Sequence, residues 1–224
     1  MSLKKIIAFA SLGCGLAFGI LMFVNIETTV HVFTGLSTLD FKDPLNMVGS
    51  IMYIIFLVLM LMAILLPGIN LLIAVVSKKD ELIERKTGAA AIWNSIYLFV
   101  LTLFILLEVI VMALVSGSIP PESIGGLVKD IFLSAEFIVP LVLVIATGVM
   151  WAVAARIENQ IARIVLYGVG AAALVVMTFV FFRDAIQGAA GIIAVILLVI
   201  QILLVVFLAV MPMIGLDGGE KKAE

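Results

Sequence analysis

Six apolar stretches, each long enough to cross a lipid bilayer, take up most of this chain, and nothing of comparable size lies between them. A helix spanning the roughly 30 Å hydrocarbon layer needs about 20 mostly apolar residues. Residues 6–24, 47–76, 89–115, 131–155, 164–182 and 189–214 meet that requirement. The expected fold class is therefore all-α: a polytopic membrane protein built as a six-helix transmembrane bundle. Hydrophobic residues make up 65% of the chain and charged residues 12%, with a mean hydropathy of +1.37. That leaves too little polar surface to cover a water-soluble core. A length of 224 residues suits one compact unit. Residues 1–216 read as a single transmembrane domain, and 217–224 as a short, polar, disordered cytoplasmic tail.

Lysine and arginine set the expected orientation, because cytoplasmic segments are enriched in them. Lys4, Lys5, Lys78, Lys79, Arg85, Lys86, Arg156, Arg163, Lys221 and Lys222 fall in one alternating set of connections. Lys42, Lys129 and Arg183 fall in the other. A bias of ten to three predicts that both termini are cytoplasmic; the expected location is a prokaryotic cytoplasmic membrane. Trp93, Trp151 and Tyr167 fall near the same inner boundary, where amphipathic rings prefer to sit.

Several local features depart from plain apolar helix. The second stretch is too long for a perpendicular span, and Pro67-Gly68 predicts a kink or break there, with Asn70 satisfying the freed backbone groups. Pro140 predicts a bend early in the fourth span. The outer loop 25–46 contains a β-branched and aromatic piece, 28–33, suited to a short extended segment. The charged inner loop 77–88 suits one or two helical turns along the inner surface. The outer loop 116–130, with Pro120-Pro121 and Gly125-Gly126, reads as irregular.

Much chemistry is excluded by what the spans lack. A net charge of −2 gives no basic excess for nucleic acid. Cys14 is the sole cysteine, so no intramolecular disulfide forms. The sole histidine, His31, lies in an outer loop, which rules out a bis-histidine haem or a zinc-protease site within one chain. No lysine or aspartate lies in a span, no span carries an arginine ladder, and there is no phosphate-binding loop. No catalytic constellation, cofactor site or metal site is expected.

What remains is a set of polar residues inside the spans. Glu108 and Glu136 sit at similar depth, roughly 8–10 Å below the outer ends of consecutive antiparallel helices. Charged groups at such depth are costly and usually face the bundle interior. Two carboxyls brought close in a low dielectric do not both ionise readily, so the pair reads as a shared-proton or cation site. The alternative is a structural role near a wet interface. At 100° per residue, Asn94 and Tyr97 lie within about 40° of Glu108, and Thr147 within about 20° of Glu136. Thr178 and Gln201 extend this polar set to the fifth and sixth spans. It reads either as a polar pathway or as hydrogen bonds between packed helices. Gly15 and Gly19 form a GxxxG motif on the first span, and Gly168 opens a small-residue patch on the fifth; both suit close helix packing.

Six spans, cytoplasmic termini and a charged loop after the second span, Lys79 to Thr87-Gly88, together resemble the permease half of an ABC-2 type exporter. The resemblance is topological and implies a separate cytoplasmic ATPase as partner. Two functional readings follow. The first is a transport-associated protein, either a carrier or the membrane subunit of a transport complex with other membrane subunits. The second is a non-catalytic scaffold or accessory subunit that binds partner helices or lipid. Cysteine labelling at Ser37, Lys79, Ser123, Gln160, Gln187 and Ala223, one at a time in a Cys14→Ser background, tests the topology. Ser37, Ser123 and Gln187 should react from outside and the other three only after permeabilisation; the reverse pattern inverts the orientation.

Overall fold

The computed structural model describes residues 3–30, 42, 44–76, 80–115, 120–181, 188–214 and 216. Among them every extended element is helical. The α-helices are α1 (Leu3–Val30), α2 (Pro44–Val76), α3 (Asp80–Val115), α4 (Ile124–Phe132), α5 (Ala135–Ala154), α6 (Gln160–Phe181) and α7 (Gly188–Val210), with a 3-10 turn at Pro121–Ser123. Five helices contain stretches long and apolar enough to cross a membrane: Leu3–Val24, Tyr53–Ile73, Ala135–Ala154, Gln160–Val180 and Gly188–Val210. The remaining expected span, 89–115, lies within α3, and most side chains of its C-terminal half are outside the described residues.

The bundle is apolar on the outside, and its mainly apolar core holds a few buried polar side chains. Val142, Ile145 and Val149 on α5, Val169 and Val176 on α6, and Ile192 and Leu203 on α7 are all exposed. Ser11, Asn94, Thr147, Thr178 and Gln201 are fully buried. An exposed apolar surface this extensive is stable in lipid and a liability in water.

α3 occupies the middle, touching α1, α2, α5, α6 and α7. The main packing partner of α1 is α7, and that of α5 is α6. α2 lies at the edge, against α1 and α3. The start of α1, the start of α3 and the end of α7 share one apolar cluster, formed by Ile7, Ala8 and Leu12 with Ile83, Ala90, Leu208 and Met211. These three helix ends are therefore at the same end of the bundle.

Four local expectations need correction. The interruption at Pro67-Gly68 does not occur: α2 runs through Pro67 without a break. Transmembrane helices tolerate proline because neighbouring groups and local adjustments of the helix satisfy the backbone carbonyl it frees. At 33 residues, α2 is about 50 Å long, so its excess length is taken up by the helix itself rather than by a break. Asn70 is buried, but its side chain makes no hydrogen bond among the described residues. Residues 28–30, placed in an extended piece, instead continue α1; the rest of that piece, 31–33, lies outside the described residues.

The charged segment from Asp80 is not a separate surface helix but the first turns of α3. It has an apolar and small face, Ile83, Thr87 and Ala90, that packs into the core, and Thr87 donates to the Ile83 carbonyl at 2.8 Å. Residues 121–132 are helical rather than irregular. The chain then breaks at Leu133-Ser134, where Ser134 Oγ accepts from the Phe137 N–H at 3.2 Å and caps α5. Phe137 joins α4 to α3, meeting Phe132 edge-on at 4.7 Å and Phe99 at 5.5 Å. Capping recurs at α6, where Asn159 Oδ1 accepts from the Ile161 and Ala162 N–H groups at 3.0 and 3.2 Å. Gly188, at φ 66°, begins α7 in a conformation that favours glycine.

The two glycines of the α6 patch differ in consequence. A Cβ on Gly170 would overlap Trp151 Nε1 and lie 2.9 Å from Thr147 Cγ2, so close approach of α5 to α6 depends on this residue. A Cβ on Gly168, the position expected to pack, would meet nothing within 4 Å. Gly170→Ala should therefore destabilise the protein by about 1–3 kcal/mol through overpacking against a rigid indole. Gly168→Ala should be neutral or stabilising by up to about 1 kcal/mol, because alanine is the better helix former. Unfolding in detergent by denaturant or heat reads both; equal effects would remove the assignment.

Candidate functional site

The polar residues predicted to form one pathway are divided among three places. The first and most connected joins α1, α3 and α7. Asn94 Nδ2 donates to Gln201 Oε1 at 2.9 Å and to the Gly15 carbonyl at 3.3 Å. Ser11 Oγ, one turn before Gly15, donates to the Gln201 backbone carbonyl at 3.2 Å. The Asn94 amide orientation follows from this geometry, since the opposite flip would set an oxygen against the Gly15 carbonyl.

Gly15 makes the arrangement possible. A Cβ there would overlap Gln201 Nε2 and lie 2.8 Å from Gln201 Cδ and 2.9 Å from Asn94 Nδ2. The two carboxamides thus occupy the volume that any side chain at position 15 would fill. Gly19, its GxxxG partner, is buried on the same helix. Three buried polar atoms near this knot have no hydrogen-bond partner among the described residues: Asn94 Oδ1, Gln201 Nε2 and the Tyr97 hydroxyl. The Tyr97 ring is itself packed edge-on against Phe18 at 6.2 Å.

The second place is the α5–α6 contact. The buried stripe of α5 is Pro140, Val144, Thr147, Trp151 and Ala154, spaced alternately by four and three residues as a helix seam requires. Thr147 Oγ1 faces the Gly170 carbonyl at 3.5 Å, a weak contact at best, while Trp151 Nε1 donates to the Tyr167 carbonyl at 3.3 Å. Indole and phenol rings lie 5.6 Å apart at 38°. The third is Thr178, which donates to Leu174 within its own helix at 2.8 Å. Such back-bonding satisfies the hydroxyl without joining helices.

Glu136 is not part of this interior. Glu136 is in the first turn of α5, two residues after the cap, and is exposed. It extends the line of the buried α5 stripe beyond the end of its buried part. An acidic group in a first helical turn is favoured by the helix dipole, which gives Glu136 a structural reason to be there. Glu108 is on α3, but its side chain lies outside the described residues. His31 and the tail 217–224 also lie outside them. No group of three His, Cys, Asp or Glu side chains suited to a metal ion occurs among the described residues.

Sequence reading missed Ser11, and it placed Gly170 in the small-residue patch of the fifth span without singling it out. Ser11 had a signal: it and Gly15 are four apart, on one helix face. With the geometry in hand, comparison with family models, curated proteins and solved structures finds no match to this chain.

Asn94 and Gln201 are directly coupled, so a double-mutant cycle isolates their bond. Asn94→Ala and Gln201→Ala should each destabilise, with a coupling of about 0.6 kcal/mol and at most about 1.7 kcal/mol, the mean and maximum found for interhelical polar pairs in a membrane protein. Strict additivity in unfolding free energy would show that the two amides do not interact.

Proposed function

We propose that this protein is a non-catalytic, membrane-embedded subunit with six spans and both termini in the cytoplasm, acting through contact with partner helices or lipid. The observation that carries this reading is the closed centre of the bundle. Asn94, Gln201 and Ser11 bond across helices there and Thr178 bonds back to its own helix, and all four are fully buried. Glu136, the one intramembrane carboxylate candidate whose side chain is described, is exposed in the first turn of α5 rather than among them. The sixth span in this reading is the apolar part of α3, 89–115, and the ten-to-three distribution of lysine and arginine supports the orientation.

The edge helix supports a subunit role. Only 13% of the Tyr53–Ile73 stretch of α2 is buried, against 44% for the spans of α1 and α7. Exposed Val58, Leu65 and Leu72 leave this helix with most of its surface for lipid or for a neighbouring protein.

A second reading, a transport carrier or the membrane subunit of a transport complex with a cytoplasmic ATPase, draws on the unpartnered atoms at the core. Asn94 Oδ1, Gln201 Nε2 and the Tyr97 hydroxyl offer an acceptor and two donor groups. They would suit a water or a small polar solute.

Reconstitution separates the readings. The purified full chain in liposomes should be silent in solute and proton flux assays. Photo-crosslinkers at Val58 and Leu72 in native membranes should trap a stoichiometric protein or lipid. Flux by the chain alone, abolished by Glu108→Gln or Glu136→Gln in a protein that still folds, would establish the carrier instead.

A further inference from the structure

Where α3, α5 and α6 meet near the start of α3, the bundle opens into a groove of about 320 Å³. Its lining is mostly apolar or small, including Ile92 and Gly148, with the Trp151 and Tyr167 rings at its inner end and two arginines, Arg85 and Arg156. We propose that this groove binds an anionic glycerophospholipid, its headgroup phosphate held between Arg85 and Arg156 and the start of an acyl chain lying against the apolar wall.

Three observations converge on that ligand. The two guanidinium groups come from different segments, one from the first turns of α3 and one from the turn after α5, and both are exposed. Among the described residues neither guanidinium is in an ion pair. Guanidinium forks match phosphate oxygens in a bidentate geometry that an ammonium lacks. The wall behind them is apolar: the one indole donor is already committed to the Tyr167 carbonyl at 3.3 Å. A free phosphate would leave that wall wet, whereas a lipid covers it. The exposed apolar surface of α5 then continues from the groove for the rest of the chain to follow. Basic pockets between spanning helices at the bilayer surface are a known form of anionic headgroup recognition.

Gly148 supplies a test that leaves both charges intact. A Cβ there meets nothing within 4 Å, and Gly148 lines the groove, so Gly148→Leu directs added volume from an unobstructed position at the groove wall, and its unfolding midpoint without lipid checks that it folds. The full chain is purified in neutral detergent, and its thermal unfolding midpoint is measured with phosphatidylglycerol, with phosphatidylcholine of the same acyl chains, and with inorganic phosphate. Phosphatidylglycerol should raise the midpoint by several degrees more than phosphatidylcholine, and inorganic phosphate should have little effect. In mixed nanodiscs, the lipid retained after delipidation should favour phosphatidylglycerol by roughly tenfold, as two nearby arginines require. R85Q/R156Q and Gly148→Leu should each remove the difference, and R85K/R156K should keep part of it. Equal effects of the two lipids, or a preference that survives both R85Q/R156Q and Gly148→Leu, would overturn the site. Inorganic phosphate reproducing the full shift would overturn the lipid assignment.

Discussion

The contact between the carboxamides of Asn94 and Gln201, laid over the bare backbone of Gly15, fixes how the central helices of this bundle meet. Three helices contribute to it, and its geometry allows little slippage. Moving α1 by one residue would put a side chain where the Gln201 amide lies, because the space exists only at a glycine. Rotating α7 would withdraw Gln201 from both Asn94 and Ser11. In lipid, helix faces gain little from hiding apolar surface, since the solvent is itself apolar. Register must then come from close backbone approach and from the few polar bonds available, and here both occur at one point.

A second contact of the same design holds α5 to α6. Gly170 gives up its side-chain volume to Trp151, and the indole uses that position to reach the Tyr167 carbonyl. In both places a glycine on one helix receives a polar side chain from the next. The amides or the indole supply direction, and the glycine supplies proximity. α3 links the two contacts, touching α1 and α7 with Asn94 and packing Ile92 and Gly88 beside Trp151 at the α5–α6 seam.

The helical architecture was legible because its cause is local. An apolar run of sufficient length must satisfy its own backbone bonds, whatever surrounds it. The burial of Asn94, Tyr97, Thr147, Thr178 and Gln201 was legible too, since helical spacing places them on shared faces. Their partners were not. Spacing shows that Asn94 and Gln201 face inward, but not that they meet each other while Thr178 turns back on its own helix. That choice depends on which helices are neighbours and at what height they cross. The same limit explains the choice between Gly168 and Gly170: two residues apart on one helix, they differ by about 160° once the 3.6-residue period is applied, and only the position of α5 decides which one is filled. At Pro67 the proline predicted a kink or a break, and the break does not occur, because a helix can pass through a proline with the loss of one backbone donor.

The cost of this design lies in the atoms it leaves over. A carboxamide donates from its nitrogen and accepts at its oxygen, and a pair joined by a single bond leaves one oxygen and one nitrogen over. Asn94 Oδ1 and Gln201 Nε2 are buried beside a bond that satisfies their sister atoms, and the Tyr97 hydroxyl is buried without a partner among the described residues. Replacing such groups by apolar ones of the same shape can be nearly neutral, whereas removing one member of a bonded pair leaves the other uncompensated. A core selected only for stability would have little reason to keep Asn94 and Gln201. Their retention is better explained by what apolar residues do not supply in a membrane: a single preferred alignment of α1, α3 and α7, which in turn holds the start of α3, with Arg85, at a fixed place beside α5.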